Sequence, residues 1–258
     1  MQKEQTKFVS STVFEGMTSI RAILKGRDAA INDRPIEEIL FDAEKIKKIG
    51  KDVGYLKAVS TKYGFELVET DADELDRITV GTSHGGLVAI AGERTLPYLN
   101  SDFLKKKNGF YAMIDGIEDP YNFGYSLRSL YAMGCDGIIL SERNWMSAAG
   151  VVCRSSAGAS ELLPIYISTA ADSADYFRNL GYKIVCAGIR DSVSSFDADM
   201  ACPIFLIVGG EKRGISATLL EKADQIVRID YGRDFGGSLS AASAASMLGY
   251  EVMRQNRK

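Results

Sequence analysis

The apolar positions of this chain change period repeatedly, and each change marks an element. In GMTSIRAILKG, residues 16–26, they recur at helical spacing and stop at a glycine. IEEILFD (36–42) reads as a strand, 43–63 as a long basic helix, and GFELVET (64–70) as a second strand. DADELDRI (71–78) reads as a short helix opened by Asp71 or Asp73, and GLVAIAG (86–92) as a closing strand. This alternating segment of about 90 residues is long enough for a small core of its own.

The next stretch, ERTLPYLNSDFLKKKNG, is polar and carries a proline and a lysine run, so it reads as an interdomain linker. Beyond it come six apolar strands: FYAMID, GIIL, LPIYI, YKIVCAG, PIFLIVGG and QIVRID. Helices fill the gaps near 122–134, 146–158, 170–181 and 215–223. Continuous apolar strands separated by helices imply an α/β fold, with a buried, mostly parallel sheet and helices on both faces. The final stretch, GGSLSAASAASMLGYEVMRQNRK, predicts a helix whose Ala/Ser-rich first half is slim enough for close helix contact. The expected organisation is a small α/β domain at 1–94, a linker at 95–108 and a larger domain at 109–258.

Composition narrows the classes. Hydrophobic residues are 46% and charged residues 25%, as in an ordinary globular protein. No apolar run approaches the roughly 20 residues of a membrane span, and the opening MQKEQTKFVSSTVFEG has no apolar core, so the cytoplasm is the expectation. The four cysteines never form CxxC and read as buried free thiols. A net charge of −3 gives no global attraction for nucleic acid, so RNA binding would need local patches. Candidates are Arg21, Lys25 and Arg27, then Lys45, Lys47, Lys48 and Lys51, and the lysines at 105–107; a solvated helix face is the plainer reading of most of them, and a polar linker that of the run at 105–107.

Only one histidine, His84, is present. GTSHG at 81–85 matches the G-x-S-x-G of hydrolases, but the triad histidine would then have to be the motif's own, so a glycine-rich turn is preferred. GGEKRGIS at 209–216 has the glycine spacing of a phosphate loop, but Ile215 occupies the lysine position. No G-x-G-x-x-G follows a strand, and no metal-ligand cluster is evident.

Three glycine-rich loops remain, each at the end of an expected strand: DPYNFGYSLR (119–128), VGGEKRGIS (208–216) and RIDYGRDFGGSLS (228–240). In a parallel α/β sheet, ligands sit beyond the carboxyl ends of strands. The glycines allow close backbone approach to a flat, neutral ligand such as adenine. Asn122 can cap a helix or bind a ligand, Arg128 offers a planar fork of donors for phosphate, and Glu211 is the carboxylate inside a glycine loop.

These loops resemble the three motifs of the SpoU/TrmH branch of the SPOUT RNA methyltransferases. N-x-G-x-x-x-R falls on Asn122, Gly124 and Arg128; G-x-E-x-x-G falls on Gly209, Glu211 and Gly214. The third motif falls on Ile229, Ser238 and Leu239, and RSSAGASELLPI (154–165) is similar to the stretch before the family's middle strand. The first domain, through EGMTSIRAIL and HGGLVAIA, resembles a ribosomal-protein-like RNA-binding domain. The resemblance implies S-adenosyl-L-methionine as cofactor, methylation of a ribose 2′-hydroxyl in RNA, a homodimer and a C-terminal trefoil knot. It implies Asn122, Arg128, Glu211, Ser238 and Ser240 as catalytic positions, and Gly209, Gly210, Gly214, Ile229 and Leu239 as cofactor-binding ones. The first domain favours ribosomal over transfer RNA. Two departures stand out: the third motif reads IDY where the family has I-P-M, and Ser240 replaces the asparagine of S-L-N. They leave open an RNA-binding protein with a vestigial methyltransferase fold; a small-molecule α/β enzyme would give Arg128 and the first domain no task.

Overall fold

The computed structural model describes residues 12–80, 84–100, 108–141, 148–210 and 214–257. It divides into two compact units: residues 1–95 with 144–162, and 96–143 with 163–258. Among the described residues, no helix is long and apolar enough to cross a membrane.

The first unit is a four-stranded sheet in the order β1-β4-β2-β3, formed by β1 (Val13–Glu15), β2 (Ile36–Asp42), β3 (Glu66–Thr70) and β4 (Leu87–Ala91). β4 is antiparallel to β1 and β2, while β2 and β3 are parallel. Alternation along the strands sends side chains to opposite faces. Ile39, Phe41, Leu87 and Ala89 pack with Ile20, Ile23 and Leu24 of α1 (Gly16–Asp28) and with Ile49, Val53 and Leu56 of α2 (Ile46–Tyr63). Leu40, Val88 and Ile90 face the other way, onto Leu75 and Ile78 of α3 (Ala72–Ile78). α3 is opened by Asp71, whose side chain accepts from the Glu74 N–H. The expected helix at 43–63 begins as a short 3-10 turn, Ala43–Lys45, capped by Asp42.

His84 is buried in the turn before β4. Its Nδ1 accepts from the Gly86 N–H at 3.1 Å, so Nε2, 3.0 Å from Asp76 Oδ1, carries the proton. Gly81, Thr82 and Ser83 of the hydrolase-like motif lie outside the described residues.

The domain boundary differs from the sequence expectation, which placed all of 109–258 in one domain. Segment 144–162 belongs with the first unit. Its helices, α5 (Ala149–Ser155) and α6 (Ala159–Leu162), fit there through bare backbone: a Cβ on Gly150 would lie 1.9 Å from Val13 O, and one on Gly26 would lie 2.2 Å from Glu161 O. Buried Glu161 also meets the buried guanidinium of Arg34 at 3.0 Å. Part of the expected linker is likewise structured: the Leu99 N–H donates to Ile167 O, and the Ile167 N–H to Pro97 O.

The second unit is built on a seven-stranded sheet, β7-β6-β5-β10-β8-β11-β9. Every pairing is parallel. The strands are β5 (Phe110–Asp115), β6 (Gly137–Leu140), β7 (Ile165–Ile167), β8 (Lys183–Ala187), β9 (Val193–Ser194), β10 (Ile204–Gly209) and β11 (Gln225–Arg228). β5 and β10 are buried almost end to end, as unbroken apolar runs require. Short β1 and β9 are the strands that the apolar pattern does not reveal. The helices are α4 (Pro120–Ala132), α7 (Ala170–Asn179), α8 (Ala217–Leu220) and α9 (Ala241–Asn256). α8 is shorter than the expected 215–223. The small residues of α9 give the close contact expected of them: Ser246 Oγ donates to Ser129 Oγ on α4 at 2.7 Å, and Gly249 lies against Leu130.

Candidate functional site

Because every strand of the second sheet points the same way, the loops after β5, β8, β10 and β11 emerge at one edge. After β10 the chain has almost no room for side chains. A Cβ on Gly209 would sit 2.5 Å from the Gly214 carbonyl carbon, and one on Gly210 would sit 2.3 Å from Gly116 O, just after β5. Gly214, at φ +59°, donates its N–H to Gly210 O at 3.0 Å and closes the loop. Ser216 caps α8. Glu211 falls outside the described residues, which begin again at Gly214.

After β11 the loop 231–238 is exposed throughout. The Tyr231 hydroxyl ties its two ends by accepting from the Leu239 N–H at 3.3 Å. Asp230 turns to its own neighbours: Oδ1 pairs with Arg228 Nε at 2.8 Å, and Oδ2 accepts from Ser194 Oγ. These hydrogen bonds, first from Ser194 and then from Arg228, hold its carboxyl below the usual aspartate range.

These walls enclose a cleft of about 290 Å³. All five expected cofactor-binding residues, Gly209, Gly210, Gly214, Ile229 and Leu239, line it, together with Ser238. Sequence reading missed the third wall, Ala187, Gly188 and Ile189 at the end of β8, and also Tyr231. A glycine directly after a buried strand, Gly188, was the available signal. Arg228 is the only charged side chain lining the cleft among the described residues, and it is already bound to Asp230 and, at 2.6 Å, to Ser192 O. The cleft is therefore neutral and rich in backbone, a surface for a flat, uncharged ring system.

Three expected catalytic residues do not line it. Ser240 is the N-cap of α9; its Oγ accepts from the Ser243 N–H at 3.2 Å. Asn122 does not cap α4. Asp119 does, because Pro120 takes the first helical position and needs no N–H partner. Asn122 lies inside the first turn and donates its N–H to Asp119 Oδ1 at 2.7 Å. Gly124 is buried in the same helix. Arg128, two turns in, is exposed, and among the described residues no hydrogen bond or ion pair engages it.

Comparison with known proteins places this arrangement. Residues 109–250 match the model of the SpoU rRNA Methylase family. A Staphylococcus aureus (strain COL) protein named for the TrmH family of tRNA/rRNA methyltransferases is 29% identical over 240 residues, 89% of this chain and 92% of its own length. A Staphylococcus saprophyticus protein of the same naming is 32% identical over 144 residues, 55% of this chain and 57% of its own length. The fold is shared with an RNA 2′-O ribose methyltransferase (TM-score 0.77, 23% identity, 94% of this chain and 88% of that one). It is also shared with an AdoMet-bound rRNA methyltransferase from Sinorhizobium meliloti (TM-score 0.77, 22% identity, 95% of this chain and 87% of that one). The family match spans more than half the chain and contains all three glycine loops, so the chain belongs to the SpoU rRNA methylase family.

Proposed function

We propose that this protein methylates a ribose 2′-hydroxyl of RNA, ribosomal in preference to transfer RNA, with S-adenosylmethionine as donor. The observation that carries the reading is the meeting of Gly209, Gly210, Gly214, Ile229 and Leu239 in one neutral cleft. The glycines let backbone reach the edge of an adenine, and Ile229 and Leu239 supply apolar contact for its faces. Bound there, S-adenosylmethionine supplies an electrophilic methyl group on sulfur.

Arg128 has the chemistry to hold the substrate. A guanidinium is a planar cationic fork of donors, so Arg128 suits a phosphate clamp and a stabiliser of the developing oxyanion rather than a general base. Asn122, one and a half turns earlier on α4, and Ser238 at the cleft complete the set we assign to substrate positioning, with Glu211 orienting the nucleotide or its loop. Ser240 acts through α9 rather than on substrate.

A homodimer and a C-terminal trefoil knot accompany this reading. An open hollow of about 1190 Å³ beside α9 is lined by Phe196, Phe235, Met247 and Tyr250, of which Phe196 is 80% exposed. A second copy would cover such an apolar surface. The close packing of α9 on α4 supports the knot.

Calorimetry with S-adenosylmethionine and methyl transfer from labelled cofactor into ribosomal and transfer RNA test the proposal. Arg128→Ala is expected to bind cofactor as wild type does and to lose methylation. No cofactor binding by the wild type at millimolar concentration would overturn the reading in favour of a vestigial RNA-binding protein.

A further inference from the structure

The surface of the first unit is divided by charge. α1 and α2 lie together on one face of its sheet and carry eight Lys and Arg residues against two carboxylates, Asp28 and Asp52. Behind the opposite face, α3 follows its Asp71 cap with Asp73, Glu74 and Asp76, and its one cation is Arg77. Both carboxylates of the α1–α2 layer are engaged within it: Asp52 with Arg21 at 2.6 Å, and Asp28 with Lys62 at 2.7 Å. Lys25, Lys47, Lys48, Lys51 and Lys57 are exposed, and among the described residues none of them has an ion-pair partner.

Two features of α2 work against its own stability. Lys47 and Lys48 stand in its first turn and Lys51 one turn on, with no acidic residue in that first turn, so their charges oppose the helix dipole. Gly50 and Gly54 stand inside the helix, yet nothing lies within 4 Å of where a Cβ would sit on either. Neither packing nor backbone geometry calls for them, and each lowers helix propensity. Lys47, Lys51, Gly54 and Ala58 share one face of the helix, opposite buried Ile49, Val53 and Leu56. Tyr55, 42% exposed, borders that face, with the Arg21 guanidinium 5.8 Å from its ring centroid.

The geometry points to this face of α2 as the seat of an RNA sugar–phosphate backbone, an inference that rests on reading the chain as an RNA methyltransferase. The exposed lysines neutralise phosphates, and absent side chains at Gly50 and Gly54 let the sugar–phosphate backbone close on the helix. Lys47 and Lys51 are separated by about 6 Å along the axis, comparable to the step between neighbouring phosphates of one strand.

The experiment follows the full-length chain binding a short, fluorescein-labelled RNA duplex of mixed sequence, by anisotropy across a salt series. The variant combining Lys47→Ala, Lys48→Ala and Lys51→Ala is expected to bind about tenfold or more weakly and to lower the slope of log K against log salt by about two to three. Gly54→Ala is expected to raise Tm and weaken binding together, a combination that a merely structural glycine would not give. Equal affinity and slope in wild type and the lysine variant overturns the inference. So does a wild type that ignores the duplex but binds polyglutamate, which would make the face a dock for an acidic protein. Lysine-dependent RNA binding with no S-adenosylmethionine binding would leave this inference standing and overturn the methyltransferase reading alone.

Discussion

Arg34 and Glu161 are 127 residues apart in the chain and meet side by side in the interior of the first unit, Nε to Oε2 at 3.0 Å and Nη2 to Oε1 at 3.4 Å. Arg34 also gives Nη1 to Gly92 O at 2.7 Å and stands 4.7 Å from the centre of the Phe14 ring. The pair fastens α6 together with the hydrogen bonds from Asn32 Nδ2 to Glu161 O and from Arg94 Nη1 to Ser160 O, and its members depend on each other. Removing one partner from a buried pair strands the other charge, at a cost of about 3–5 kcal/mol, whereas replacing both by apolar groups is often neutral. Glu161→Ala is therefore expected to destabilise the protein by about that amount in urea unfolding, and Arg34→Met/Glu161→Leu to recover most of the loss.

The glycine wall after β10 makes a second prediction. Gly210→Ala would press a methyl group into the Gly116 carbonyl, and Gly209→Ala into Gly214. Each is expected to lose about 1–3 kcal/mol of stability, the usual effect of overpacking, and to weaken S-adenosylmethionine binding in calorimetry. Gly236→Ala, whose Cβ would meet nothing, is expected to leave stability within about 0.5 kcal/mol of wild type.

Ser240 allows a test of what its hydroxyl does. Asparagine and serine serve almost equally as helix N-caps, while alanine gives up about 1 kcal/mol. Ser240→Asn, which restores the family's residue, is expected to leave stability and methylation unchanged. Ser240→Ala is expected to lower Tm by a few degrees. A large gain of activity in Ser240→Asn would show that the position touches substrate after all.

Alkaline pH makes a fourth. Burial pushes the thiols of Cys135, Cys153 and Cys186 from an ordinary 9.0 up to about 12. Between those values the unfolded chain has released these protons and the folded chain still holds them, so stability falls as pH rises through that window. Below about pH 9 these thiols contribute no pH dependence. Urea midpoints are expected to decline steadily above that point, and an alkylating reagent at neutral pH is expected to modify partly exposed Cys202 before the other three.

The second sheet was legible in the sequence because a parallel strand buried on both faces needs an unbroken apolar run, as FYAMID and PIFLIV show. β1 and β9, three and two residues long, are too short to carry a period. The attachment of 144–162 to the first unit left no periodic trace, because it rests on missing Cβ atoms at Gly26 and Gly150 and on ion pairs between distant residues, Arg34 with Glu161 and Arg154 with Glu15. Within the site, the glycines were readable as points of close approach. The task of Ser240 was not, since a cap and a catalytic hydroxyl look alike until the helix they precede is seen. Asp119 before Pro120 was the readable cap signal, and Asn122 drew attention away from it.

The direct contact between Gly210 and Gly116 has a consequence for how this site can change over generations. The glycine wall after β10 is pressed backbone to backbone against Gly116 and Gly214, so substitution at Gly209 or Gly210 collides before it can add function. The exposed loop 231–238 is where new side chains can be tried without unfolding the protein. Both departures from the family's motif, IDY and SLS, lie at the two ends of that loop. The cleft thus pairs an inherited, nearly immutable floor with a side on which variation is cheap.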